Sequence, residues 1–299
     1  MRSDKASADD SMNQKVITIL TILIAALSLA MVLAGLCSSQ VREFAPVTTS
    51  FGETIELYQK GLYARDSVSM ATQAIAQDRV TLIVGIPLLL VSLCFLLKKS
   101  CKGLFLLTGT AGYFLYTYTS YSFLMTYNAF YLLYVLLMAL SFYDFVLCMI
   151  MLYGANLKQR VSAKFPARGI SIFFGICGLI VMGMWLGRIA PTILTDTAPY
   201  GLEQYSTLGI QSLDLGFVVP ACFVTAWLLY QRSRWGYLLS TVLLVKMVTM
   251  AAAVSTMGIS MYVTGIPMNV EEIVVFPVFT IFSAVLLMKV VAAVEDNQL

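Results

Sequence analysis

GYLLSTVLLVKMVTMAAAVSTMGISMY, residues 236–262, is apolar over a length that crosses a bilayer and carries a single charge, Lys246. A helix rises about 1.5 Å per residue, which puts Lys246 about 15 Å into the run, near the midplane of a hydrocarbon core about 30 Å thick. A lysine at that depth costs about 2.5–3.5 kcal/mol on insertion scales, and such residues face a bundle interior or a wet cavity. Lys246 is therefore the leading candidate for ligand binding or proton exchange.

The pattern repeats outward from this stretch. Apolar runs occupy residues 15–37, 79–98, 103–125, 128–152, 169–190, 212–231, 236–262 and 273–294, eight in all. Of the 299 residues, 59% are apolar and 12% charged, about half the charge of a water-soluble domain. The runs are continuous rather than alternating, so the backbone satisfies itself in lipid as helices and not as a barrel. The fold class is an all-α integral membrane protein of about eight transmembrane helices. Residues 1–14 form a polar tail, 15–152 a first four-helix half and 169–294 a second. Within the polar segment 38–78, residues 53–60 read as a short helix stopped by Gly61, and Asp66 or Ser67 is suited to cap another.

Thirteen of the nineteen Lys and Arg residues fall on one side of this arrangement and five on the other, with Lys246 between. The positive-inside rule makes the richer side cytoplasmic, with both termini there and the protein in the plasma membrane. The second and third runs resemble the sixth and seventh at an offset of 133, with Pro87 on Pro220 and Gly103 on Gly236. An even number of spans per half makes this a parallel repeat, and sites in such proteins lie between the halves.

Polar residues at membrane depth mark the expected site. Lys246 and Thr249 share a face of the seventh run, Tyr113 and Thr117 one of the third, and Tyr131, Tyr134 and Asp144 one of the fourth. Lys246 falls on Tyr113 under the 133 offset, which groups these stripes around one cavity, and Asp144 is the expected carboxylate for Lys246. Arg188 and Asp214 form an expected ion pair near the ends of the fifth and sixth runs. Residues 51–78 are placed over the mouth. Gly183 and Gly187 stand four apart, the small-residue spacing that lets helices approach within the chain, in a homodimer or in a membrane complex.

With no histidine, the usual haem and zinc ligand is missing, and the six cysteines lack CxxC spacing, so neither metal nor cofactor is expected. No GxSxG, P-loop or HExxH motif argues for an enzyme, and a formal charge of +3 does not argue for nucleic acid. The expected function is binding and translocation of a small-molecule ligand, with a non-transporting assembly subunit or sensor as the alternative.

Overall fold

The computed structural model describes residues 2–266 and 270–296. Eight long helices follow in order: α1 (Arg2–Cys37), α2 (Val68–Leu97), α3 (Cys101–Leu124), α4 (Tyr131–Ala155), α5 (Ala167–Thr195), α6 (Gly209–Tyr230), α7 (Arg234–Val263) and α8 (Val270–Ala293). Seven are long and apolar enough to cross a membrane; α3 is the exception. Its 24 residues reach about 36 Å, so length is not what sets it apart. α2, α4 and α7 all pack on it, and Thr108, Thr110, Tyr113, Thr117 and Tyr121 are buried along it. A helix wrapped by others has no need of an apolar face towards lipid.

α1 shows the opposite pattern. Ile17, Thr21, Ile24, Ser28, Met31 and Gly35 are buried at spacings of three and four, while Ile19, Ile22, Leu23, Leu29 and Leu33 are exposed. Its outer face is thus as apolar as its inner one, as lipid requires. The helix begins at Arg2 and takes in the residues the sequence assigns to a polar tail.

Two helices contain a π-turn, Thr81–Gly85 in α2 and Asp214–Val218 in α6, each followed within two residues by a proline, Pro87 and Pro220. Proline lacks the N–H that an unbroken helix needs at that point, and the wider turn absorbs the defect. The connection that follows is also repeated. Lys99 and Arg232 take φ of 60° and 53°, and Ser100 and Ser233 cap the next helix by accepting from the N–H of Gly103 (3.1 Å) and Gly236 (3.0 Å). A Cβ on Gly103 or Gly236 would stand 2.5 Å from the amide nitrogen of Leu96 or Leu229. Each of these features recurs at a displacement of 133.

The chain outside the helices gathers at two ends. At one, Ser100 donates to Asp296 (2.7 Å), and Glu295 donates its N–H to Arg160 (2.7 Å), tying the C-terminal segment to the basic loops. At the other, residues 53–60 are not the expected helix. The β-branched pairs Val47–Thr48 and Thr54–Ile55 form a two-stranded hairpin, turned at Gly52 with φ of 82°. Ser67 caps α2 as expected, accepting from Met70 N–H (3.1 Å), and the helix it caps continues into the apolar run that begins at residue 79.

α3 and α7 cross at Gly109, where an added Cβ would run into the Val245 side chain and lie 2.7 Å from the Val242 carbonyl. Gly109→Val is expected to destabilise the fold by about 1–3 kcal/mol through overpacking. Gly154→Ala, where the added carbon meets nothing within 4 Å, should change stability by less than about 1 kcal/mol. Thermal unfolding of the two purified variants checks both values.

Candidate functional site

A cavity of about 1190 Å³ opens between α2 and α3 on one side and α5 to α8 on the other. It is larger than the usual 300–1,000 Å³ of a small-molecule site. Residues 44–57 and 200–208 contribute to its rim at the hairpin end, so part of the segment expected over the mouth is found there. α7 buries Val242, Val245, Thr249 and Ala253, and by helical spacing turns Met247, Met250, Val254, Met257 and Met261 to the cavity.

At the inner wall, charged and aromatic groups form a chain. The Lys246 ammonium lies 4.1 Å from the centre of the Tyr116 ring. Tyr116 donates its hydroxyl to Asp214 Oδ1 (2.7 Å), and Trp185 donates Nε1–H to Asp214 Oδ2 (2.9 Å). The Arg188 guanidinium lies over the rings of Trp185 (5.1 Å) and Tyr200 (5.2 Å). Both oxygens of Asp214 are thus held by neutral donors. Lys246 feels the Asp214 charge, yet among the described residues no hydrogen-bond acceptor meets its three N–H groups. A cation–π contact returns about 2 kcal/mol when desolvated, but leaves every donor open.

The other expected residues separate into distinct places. Thr117 lines the cavity and accepts from Gln77 Nε2 (2.9 Å). Tyr113 lies buried beside it, accepting from the same amide (2.8 Å) and bonded to Thr81 (2.8 Å). Thr249 returns its hydroxyl to the carbonyls of Val245 (3.1 Å) and Lys246 (3.0 Å) and does not line the cavity. Tyr131 is exposed and packs on Tyr127, while Tyr134 is buried and accepts from Asn128 (3.2 Å).

Asp144 is not the partner of Lys246. Its carboxylate is fully buried on the α1 face of α4, where Thr21 Oγ1 lies 3.3 Å from both oxygens. The carboxylate that acts on Lys246 is Asp214, because the π-turn sets it facing α3 and α7. The Arg188 and Asp214 pair expected from the sequence is linked through Trp185, which carries one on its face and donates to the other.

The sequence alone gives no role to Asp78, which falls in the polar segment 38–78. It lies one helical stretch inside α2, accepting from Tyr63 (2.6 Å) and Tyr121 (3.0 Å). The close approach of α1 there requires Gly35, whose Cβ would stand 2.9 Å from the Tyr63 hydroxyl and collide with the carboxylate. The cap at Ser67 was the signal that α2 begins early. Among the described residues the hydroxyls of Tyr118, Ser28 and Ser141 are buried without a hydrogen-bond partner, an arrangement that ordered water commonly completes. Among the described residues, no three metal-ligating side chains converge.

Comparison with protein families, curated proteins and solved structures finds no match. The chemistry of the site therefore carries the functional argument.

The rim is held by a clamp around Asp66. Oδ1 accepts from Thr126 N–H (2.8 Å) and Tyr205 OH (3.0 Å), Gln204 donates to the Arg65 carbonyl (2.8 Å), and Ser67 donates to Glu203. Burial pushes the Asp66 carboxyl from 3.8 up to about 6, outweighing the hydrogen bonds that lower it, and burial raises Glu203 as well. The folded state therefore holds a proton that the unfolded chain has released between about pH 4 and 6, and stability falls as pH rises through that window. Asp66→Asn is expected to flatten this slope, and adding Glu203→Gln to flatten it further, in thermal midpoints measured from pH 4.5 to 7.5.

Proposed function

We propose that the protein binds a small solute at Lys246 in the cavity between its helical halves and carries it across the plasma membrane. The observation behind this reading is the Lys246 ammonium, at membrane depth, facing a cavity with no acceptor of its own. A solute with an anionic group supplies what Asp214, already held by Tyr116 and Trp185, does not.

In this reading α3 is the eighth span and the halves are parallel four-helix repeats. The recurrence of π-turn, proline, left-handed residue, serine cap and packed glycine at one displacement supports it. So does the crossing of α3 and α7, where Gly109 meets Val242, its own counterpart at 133. A residue that touches its own counterpart lies on the axis relating two repeats. Thr81 with Tyr113 in the first half corresponds to Asp214 with Lys246 in the second, so the same place is neutral in one half and charged in the other.

The excess of Lys and Arg at the opposite end directs the hairpin end, and the cavity mouth, to the outside. Asp78 and Asp144, with the buried hydroxyls of Tyr118, Ser28 and Ser141, serve as a proton path in the first half that borders the cavity at Tyr121. The assembly-subunit reading draws on Gly183 and Gly187, where an added Cβ meets nothing within 4 Å and the α5 face stands open to a partner helix, such as a second copy.

Uptake of small anions into proteoliposomes under an imposed proton gradient tests the proposal. Lys246→Met is expected to weaken ligand binding about 30-fold, which corresponds to about 2 kcal/mol for a buried charge contact. Asp144→Asn should abolish the response to the gradient while leaving binding in place. A Lys246→Met protein with full uptake and affinity would sink the transport reading.

A further inference from the structure

Resting on Lys246 as the binding group, we propose that the ligand is a long-chain acyl anion taken from the bilayer, its head at Lys246 and its tail passing between α5 and α8. The first observation is the poverty of the cavity in charge partners at that depth. One ammonium without an acceptor shares its cavity with Val181, Met184, Met247, Met250 and Val254. A compact hydrophilic anion would exchange part of its hydration there for a largely apolar wall. An anion with a hydrocarbon tail keeps that tail in apolar surroundings as it passes from the bilayer to the groove, and flexible methionine walls accommodate a flexible chain.

The second observation is an apolar groove on the lipid-facing side that adjoins the cavity at Phe279. In the first half α1 packs closely along α4. In the second half α5 packs on α6 and, without such close packing along α8, meets α8 through Phe173 against the rings of Phe279 and Phe282. Between α5 and α8 lies an apolar groove of about 210 Å³, walled by Ile172, Ile176, Val278 and Phe282. These four are 48–63% exposed on a membrane-spanning face. Phe279 lines both this groove and the Lys246 cavity, so the two are adjoining spaces. Gly169 lines the groove, and an added Cβ there would meet nothing within 4 Å. Lys246 matches the head, and the groove matches the tail.

The test uses the full chain in zwitterionic nanodiscs and an oleate analogue with a photoreactive diazirine in its tail. Crosslinks are expected at residues 172–176 and 278–282, competed about tenfold better by oleate than by oleyl alcohol, which has the tail without the charge. They should be lost in Lys246→Met, kept in Lys246→Arg, and lost in Ile176→Trp, which fills the groove. Ile150→Trp, at another exposed face, should leave them unchanged. Crosslinks spread over all lipid-facing helices and indifferent to Lys246 would overturn the proposal as ordinary lipid contact. Butyrate competing as well as oleate would overturn the acyl ligand while leaving the small-solute reading intact. Crosslinks blocked by a second copy seated on α5 and α8, and not by oleate, would also overturn it. If neither butyrate nor oleate binds in a Lys246-dependent way, both readings fall together.

Discussion

A cation at membrane depth must be compensated, and much of the second half is arranged around that requirement. Lys246 is not neutralised by a direct salt bridge. It rests on the Tyr116 ring, and the hydroxyl of the same tyrosine holds Asp214, so one side chain serves both charges. The π-turn that begins at Asp214 sets that carboxylate at the start of the wider turn, where Tyr116 and Trp185 both reach it. The consequence is an asymmetric pair: the anion is fully hydrogen-bonded and the cation is not. Low dielectric makes the open donors of the cation costly, and therefore strongly attractive to a ligand that fills them.

α3 makes this possible by being polar. Surrounded by α2, α4 and α7, it offers Tyr116 and Thr117 to the cavity and Tyr113 and Tyr121 to the Gln77 and Asp78 network. Two polar systems thus share one helix and meet where Gln77 donates to both Tyr113 and Thr117. The cavity system contains the open ammonium, whereas the other includes carboxylates and hydroxyls that reach α1.

The hairpin end joins distant parts of the chain from outside the helices. Asp66, Ser67 and Thr126 lie at the ends of α2 and α3, and Glu203, Gln204 and Tyr205 in the connection between α5 and α6. Because burial favours the protonated acids, the clamp is tighter in mildly acidic conditions than in neutral ones.

The helical class was legible from residue patterns alone, because a backbone in lipid has few ways to satisfy itself and each apolar run must be long enough to cross. The unusual standing of Lys246 followed from the same argument, as did the displacement of 133 that Pro87 and Pro220, Gly103 and Gly236 mark. Helix faces were harder to read. Thr249 sits three residues from Lys246 but turns into packing, and Asp144 turns to Thr21, since a run apolar on all sides does not announce which side is inside. Asp78 escaped notice because α2 begins eleven residues before its apolar run, where alanines and small polar residues pack against other helices and need not be hydrophobic. Which carboxylate serves Lys246, and where a cavity opens, depend on contacts between residues far apart in the chain. Those were decided only when α3, α6 and α7 came together.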